Sequence, residues 1–229
     1  MSGTRAVAIV SGGLDSVTLA HLLHERGYAL HLLAFDYGQR HKKELIYAER
    51  CAQRLEAAFD VIDLSYLGRH LAGSALTDET IAVPDGHYAA PNMAITIVPN
   101  RNAIMLAIAY GIAVAENAEV VALGVHAGDH FIYPDCRPAF ISAFDAMERV
   151  AVEGCGNPEL HLEAPFVHMG KQDIVALGAQ LGVPYEETWS CYKGGEKHCG
   201  TCGTCVERQE AFQLAGVPDP TIYEAAKPV

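Results

Sequence analysis

Ser11-Gly12-Gly13-Leu14-Asp15-Ser16 follows the apolar run Ala6-Val7-Ala8-Ile9-Val10 and precedes the amphipathic run Val17-Thr18-Leu19-Ala20-His21-Leu22-Leu23. That order predicts a strand, a glycine turn and a helix. Two glycines let the backbone turn tightly and come close to a ligand. The helix N-terminus then offers unpaired N–H groups and a positive dipole end to an anion. Two hydroxyls and a carboxylate stand among them, which suits a cradle for nucleotide phosphates with Asp15 beside a metal ion. The alternative is an ordinary strand-to-helix turn capped by Ser or Asp. Neither G-x-x-x-x-G-K-[ST] nor G-x-G-x-x-G occurs in the chain.

Outward from this turn, apolar strands alternate with helical stretches. Strands are expected at 28–35, 59–63, 119–125 and 160–163. Helices are expected at 43–56, 101–116, 138–153 and 170–181, the last ended by Gly182 with Pro184 beyond. Such alternation predicts an α/β fold with a parallel sheet covered on both faces. Ligands in these folds bind beyond the C-terminal ends of the strands, where the SGGLDS turn falls. Residues 72–100 lack a period and read as a long loop of the kind that serves as a lid.

The chain has 229 residues, half of them hydrophobic and 19% charged, enough for one sizeable domain with a small appendage. A division at 1–185 and 186–229 is expected, the second part being a cysteine knob with a C-terminal helix and tail. The 13-residue apolar stretch 103–115 is shorter than the roughly 18 needed to span a bilayer. Ser11-Gly12-Gly13 interrupts the first apolar run too early for a signal peptide. These readings imply a cytoplasmic protein without a membrane partner. A formal net charge of −12 favours a small substrate over a nucleic acid.

Three further loops could face the same site. In Val98-Pro99-Asn100-Arg101-Asn102, Arg101 offers a planar fork to a phosphate or carboxylate, or is simply exposed at a helix start. The segment from His126 to Arg137 carries Asp129, Tyr133, Asp135 and Arg137, with His126 and His130 read as ordinary loop residues and Cys136 as structural. Lys171 opens a helix, a poor place for a cation unless an anion is near.

Four of the seven cysteines crowd near the C-terminus as Cys191-x7-Cys199-x2-Cys202-x2-Cys205. Four thiolates suit a tetrahedral zinc ion, and a closed shell makes it structural. An iron–sulfur cluster is the rival. His198 is a spare ligand that a four-cysteine shell does not need.

SGGLDS resembles the PP-loop of the ATP pyrophosphatase superfamily, whose members cleave ATP between the α- and β-phosphates and pass AMP to a substrate oxygen. Together with V-P-N-R-N, the G-V-H…Y-P-D-C-R loop and the cysteine spacing, in that order from about Val7 to Glu224, the chain is similar to the 7-cyano-7-deazaguanine synthase family. The resemblance implies a Rossmann-like PP-loop domain, of the adenine nucleotide alpha hydrolase type, with a zinc knob. It implies an ATP- and Mg2+-dependent ligase of queuosine biosynthesis, in which 7-carboxy-7-deazaguanine and ammonia become the nitrile through adenylated acid and amide. Val10, Ser11, Gly12, Gly13, Leu14, Asp15 and Ser16 would bind ATP. Asp15, Lys171 and Arg101 would be catalytic, and Asp129, Tyr133, Asp135 and Arg137 would meet the substrate. One structural Zn2+ per chain would sit on the four cysteines, and the assembly would be a homodimer. The alternatives are a PP-loop enzyme that thiolates tRNA and a zinc-knob binding module without catalysis.

Overall fold

The apolar run after Thr4 forms the central strand of a five-stranded sheet, β1 (Arg5–Ile9). The computed structural model describes residues 4–40, 42–71, 73–88 and 91–224, with the backbone alone at Pro91 and Asn92. Positions 72, 89 and 90 of the expected loop, and 1–3 and 225–229 of the two expected parts, lie outside the described residues. Around β1 the elements run α1 (Leu14–Glu25), β2 (Ala29–Asp36), α2 (Lys43–Arg54), β3 (Ala58–Asp63) and the short α3 (Ser65–Gly68). They continue with α4 (Arg101–Ala115), β4 (Val120–Ala122), α5 (Pro138–Ala151), β5 (His161–Glu163), α6 (Lys171–Gln180) and α7 (Gly203–Ala215).

The sheet order is β3-β2-β1-β4-β5, and all four pairings are parallel. Alternation along β1 sends Val7 and Ile9 to one face and Ala6 and Ala8 to the other. Leu106, Ala109 and Tyr110 of α4 and Phe144 of α5 cover the first face. Leu19 and Leu23 of α1, Ile174 and Val175 of α6 and Phe212 of α7 cover the second. Burial on both faces explains why these strands read as unbroken apolar runs. The order in which strands are added reverses between β1 and β4, so the crevice at their C-terminal ends is the expected ligand site.

The expected strand 119–125 shortens to Val120–Ala122. A Cβ on Gly124 would lie 3.4 Å from the Asp15 carbonyl oxygen, so the chain leaves the sheet to pass against the first turn of α1. By length and composition the apolar stretch Met93–Ala115 suffices to cross a membrane, more than the 13 residues counted from sequence. In the fold it is not one helix. A 3-10 turn spans Pro91–Thr96, and Asn100 takes a left-handed φ of 59° before α4 begins.

The loop region is strapped down rather than free. Arg40 Nη1 donates to the Ala75 and Ile81 carbonyls at 3.3 and 3.0 Å, and the Ala75 N–H donates to the Ile95 carbonyl at 2.8 Å. Leu76 and Tyr88 of this region are buried against the core.

α7 packs along α6, and a single guanidinium ties it to the chain around it. Arg208 is 0% exposed. It donates to Thr221 Oγ1, Thr188 Oγ1, Ser190 Oγ and the Tyr185 carbonyl at 2.7, 2.8, 3.0 and 2.8 Å. Asp219 lies 3.8 Å away and Phe212 stacks beneath it. A buried cation is tolerated only when its donors are met, and a lysine cannot reproduce this fork. Arg208→Ala should lower stability by about 3–5 kcal/mol by leaving these acceptors unpaired. Arg208→Lys should recover little of it. Denaturant melts of the two variants check this, and a wild-type midpoint for either one contradicts the role given to Arg208.

Candidate functional site

The turn after β1 is shaped by its neighbours as much as by its own residues. Gly12 takes φ +82°, and a Cβ there would lie 2.2 Å from the Glu44 carbonyl oxygen and 2.8 Å from the Ala48 nitrogen. The first turn of α2 therefore presses directly on the loop. Gly13 is the extended N-cap of α1, and no side chain caps that helix. Its first N–H groups stay available to a ligand. Ser16 Oγ accepts from the Ser11 N–H at 3.1 Å and donates to the Gly13 carbonyl at 3.1 Å, holding the loop closed on itself.

Lys171, at the start of α6, finds its anions in the protein. Its Nζ lies 2.7 Å from Asp15 Oδ2 and 3.1 Å from Glu207 Oε2. His126 Nε2 is 3.2 Å from the same nitrogen. The Gly128 N–H donates to His126 Nδ1 at 3.1 Å. His126 Nε2 lies 3.6 Å from Asp129 Oδ2, while Asp129 Oδ1 accepts from the Tyr88 hydroxyl at 2.9 Å.

Burial works against the ammonium, but Asp15, Glu207 and Asp129 together raise the Lys171 pKa well above its usual range. Burial also disfavours the Asp15 carboxylate, and Lys171 and His126 outweigh it, so the Asp15 pKa falls. For Glu207 burial prevails over Lys171, and the pKa rises. Among the described residues, buried Asp15 Oδ1 has no hydrogen-bond partner, an oxygen left over for a cation.

Asp15, Lys171, His126 and Asp129 border a cavity of about 220 Å³. Val10, Ser11, Gly13, Leu14, Asp15 and Ser16 line it, as do Arg101, Asp129, Tyr133 and Lys171. Gly12 turns behind it. Arg101 lies against Tyr37, with Nη1 3.3 Å from the hydroxyl. Asp135 and Arg137 do not line the cavity. Asp135 Oδ2 accepts from the Asn102 N–H at 3.0 Å at the start of α4, and Arg137 Nε donates to the His130 carbonyl at 2.9 Å. Both brace the loop that carries Asp129 and Tyr133. His126, read from sequence as an ordinary loop residue, is buried beside Lys171.

The Sγ atoms of Cys191, Cys199, Cys202 and Cys205 lie within 4.8 Å of one another, and Cys199 and Cys205 are 3.9 Å apart. Zn–S bonds of about 2.3 Å set tetrahedral sulfurs about 3.8 Å apart, so one ion of that type fits. The Thr201 and Cys202 N–H groups point at Cys199 Sγ at 3.4 and 3.3 Å, which stabilises a thiolate. His198 stays outside this group: its Nε2 accepts from the Ser190 N–H at 3.1 Å, and burial pushes its pKa down to about 4.

Sequence reasoning missed the residues that join the two centres. The Trp189 N–H donates to the Gly12 carbonyl at 2.9 Å, and its Nε1 donates to the Cys191 carbonyl at 2.9 Å. One residue thus bridges the glycine turn, through its backbone, and the cysteine centre, through its indole. Glu207 reaches Lys171 from α7, two residues past Cys205. Glu44 and Gln39 line the cavity from the β2 side. No motif marked any of them: Trp189 and Glu207 act through partners distant in sequence, and Gln39 and Glu44 meet the cavity only through the fold. Gly12→Ala should cost at least about 2 kcal/mol, since a left-handed φ and a backbone clash coincide there. Thermal unfolding measures it, and an unchanged melting temperature would contradict the packing described.

The family model for the queuosine biosynthesis protein QueC matches residues 5–216. The 7-cyano-7-deazaguanine synthase of Rhizobium johnstonii is 59% identical over 220 residues, covering 96% of this chain and 92% of that protein. The 7-cyano-7-deazaguanine synthase of Brucella anthropi is 60% identical over 222 residues, covering 97% and 94%. Among solved structures, the NMN synthetase of Francisella tularensis superposes with a TM-score of 0.51 at 15% identity, covering 94% of this chain and 79% of that one. That likeness supports the fold, and the close relatives and family match settle the lineage: the chain belongs to the QueC family of queuosine biosynthesis proteins.

Proposed function

We propose that this chain is an ATP-dependent 7-cyano-7-deazaguanine synthase, a ligase that joins ammonia to 7-carboxy-7-deazaguanine and dehydrates the product to a nitrile. The observation that carries the reading is convergence. The unpaired N-terminus of α1, Lys171, Asp15 and Arg101 border one cavity whose other walls include Tyr37, Tyr133 and Tyr192. Phosphates and a flat heterocycle are the ligands that such walls suit.

The chemistry follows from poor leaving groups. A carboxylate oxygen attacks the α-phosphorus of ATP and pyrophosphate departs. Ammonia attacks the acyl carbon and AMP departs, leaving an amide and a proton. The amide oxygen attacks a second ATP in the same way. Loss of AMP and of the two N–H protons then leaves the carbon–nitrogen triple bond.

In this reading residues Val10 to Ser16 cradle the triphosphate. Lys171 and Arg101 offset the charge that grows on the phosphates. The unpartnered Asp15 Oδ1 would hold Mg2+, which supplies further charge neutralisation there. Asp129 and Tyr133 face the substrate, and Asp135 and Arg137 support them. The four cysteines would hold one Zn2+; the 3.9 Å sulfur spacing supports a single ion over a cluster, whose thiolates bind separate irons. Free ammonia as the nitrogen source, a homodimer suggested by family likeness and a cytoplasmic setting complete the proposal. The acidic balance supports a small-molecule substrate.

Asp15→Ala should lower nitrile formation by about 10³-fold or more. Mass spectrometry of reactions containing ATP, magnesium, ammonium and 7-carboxy-7-deazaguanine reads both nitrile and nucleotide product. Wild-type turnover by the variant, or ADP in place of AMP, would sink the mechanism. Elemental analysis should find one zinc per chain. Cys202→Ser should lose that zinc and melt earlier, because metal binding and folding are coupled. Full zinc content in this variant would remove Cys202 from the shell.

A further inference from the structure

Three carboxylates line the cavity, Asp15, Asp129 and Glu44. Two are committed to neighbours. Asp15 is paired with Lys171 at the phosphate end, and Asp129 accepts from Tyr88 beside His126. Glu44 is different. Among the described residues it enters no ion pair, and a single side-chain donor reaches it, Gln39 Nε2 at 3.1 Å on Oε1.

That one contact is rigid. Gln39 is buried, its Oε1 accepts from the Tyr37 N–H at 2.9 Å, and its Nε2 also donates to the Phe35 carbonyl at 3.0 Å. Glu44 is therefore held by a fixed amide and by its place in the first turn of α2, where a negative charge is favoured. Burial nonetheless pushes its pKa up to about 7, the mark of a carboxyl short of donors. The same cavity is lined by Phe35, Tyr37, Leu76 and Met105, flat or apolar surfaces suited to a planar ring, and the Arg101 cation lies near Glu44.

A carboxylate has acceptors only, about four lone-pair sites on two oxygens. Its best complement is a pair of adjacent N–H donors. A guanine-type ring offers such a pair, the ring N–H and the exocyclic amino group, whereas adenine offers a donor beside an acceptor. We propose that Glu44 reads the N–H edge of the deazaguanine base and selects for its 2-amino group. The inference rests on the proposed synthase reading and names the residue that recognises its substrate.

Equilibrium binding tests it without requiring turnover. Calorimetry compares 7-carboxy-7-deazaguanine with the analogue lacking the 2-amino group, in the wild type, Glu44→Gln and Glu44→Asp, and titrates ATP separately. The wild type should prefer the amino compound by about 100-fold, the scale of lost hydrogen bonds to a charged acceptor. Glu44→Gln should reduce that preference to less than about 5-fold and leave ATP affinity within about two-fold. Glu44→Asp keeps the carboxylate and should retain part of the preference. A wild type that binds both compounds equally overturns the proposal whatever the variants do. So does a Glu44→Gln protein that keeps the preference, or one that loses ATP affinity instead, which would make Glu44 a nucleotide contact. A wild type that discriminates the bases but forms no nitrile would defeat the synthase reading and leave the assignment of Glu44 standing.

Discussion

One buried ammonium, Lys171 Nζ, joins carboxylates from opposite ends of the chain. Asp15 comes from the first helix and Glu207 from the last, at 2.7 and 3.1 Å. Asp129 stands nearby on the loop after β4. Without the cation these negative groups would face one another in a poorly solvated space, which proteins seldom tolerate. The pairing therefore holds the glycine turn after β1, the start of α6 and the start of α7 in one arrangement. It also explains a cation at a helix N-terminus, where the dipole opposes it.

The cysteine segment is part of the same construction. Trp189 bonds the Gly12 carbonyl through its backbone and the Cys191 carbonyl through its indole. Arg208 fastens the chain on either side, from Tyr185 to Thr221. The Gly86 N–H donates to the Thr201 carbonyl at 3.0 Å, so the region after β3 is pinned there as well. An ion on the four sulfurs would thus stiffen the wall that carries Trp189 and Ser190, both of which border the cavity. A pendant binding module would not supply a buried carboxylate to the site as α7 does.

Much of this was legible in the chain because the signals are local. SGGLDS, the apolar alternation and the cysteine spacing each lie within a few residues, where period and turn chemistry act directly. Strand and helix ends were less legible. β4 stops at Ala122 because Gly124 must pass close to Asp15, a contact between residues more than a hundred apart. The four polar residues picked from the loop after β4 divided in two. Asp129 and Tyr133 line the cavity, whereas Asp135 caps α4 and Arg137 holds a carbonyl. Residue type alone does not separate these roles, since the same side chain serves a ligand or a backbone amide equally well.

By itself the sequence determined the alternating α/β order, the glycine turn between the first strand and helix and the set of four thiols, through spacings that local geometry can act on. Only the tertiary structure decided which carboxylates meet Lys171, that Trp189 bridges the glycine turn to the cysteines, and that Glu44 stands in the cavity without an ion pair among the described residues. Those outcomes depend on burial and on partners brought together by the sheet order. Charge and hydrogen-bond demand become selective only once water is excluded, and which groups lose water is a property of the packed chain.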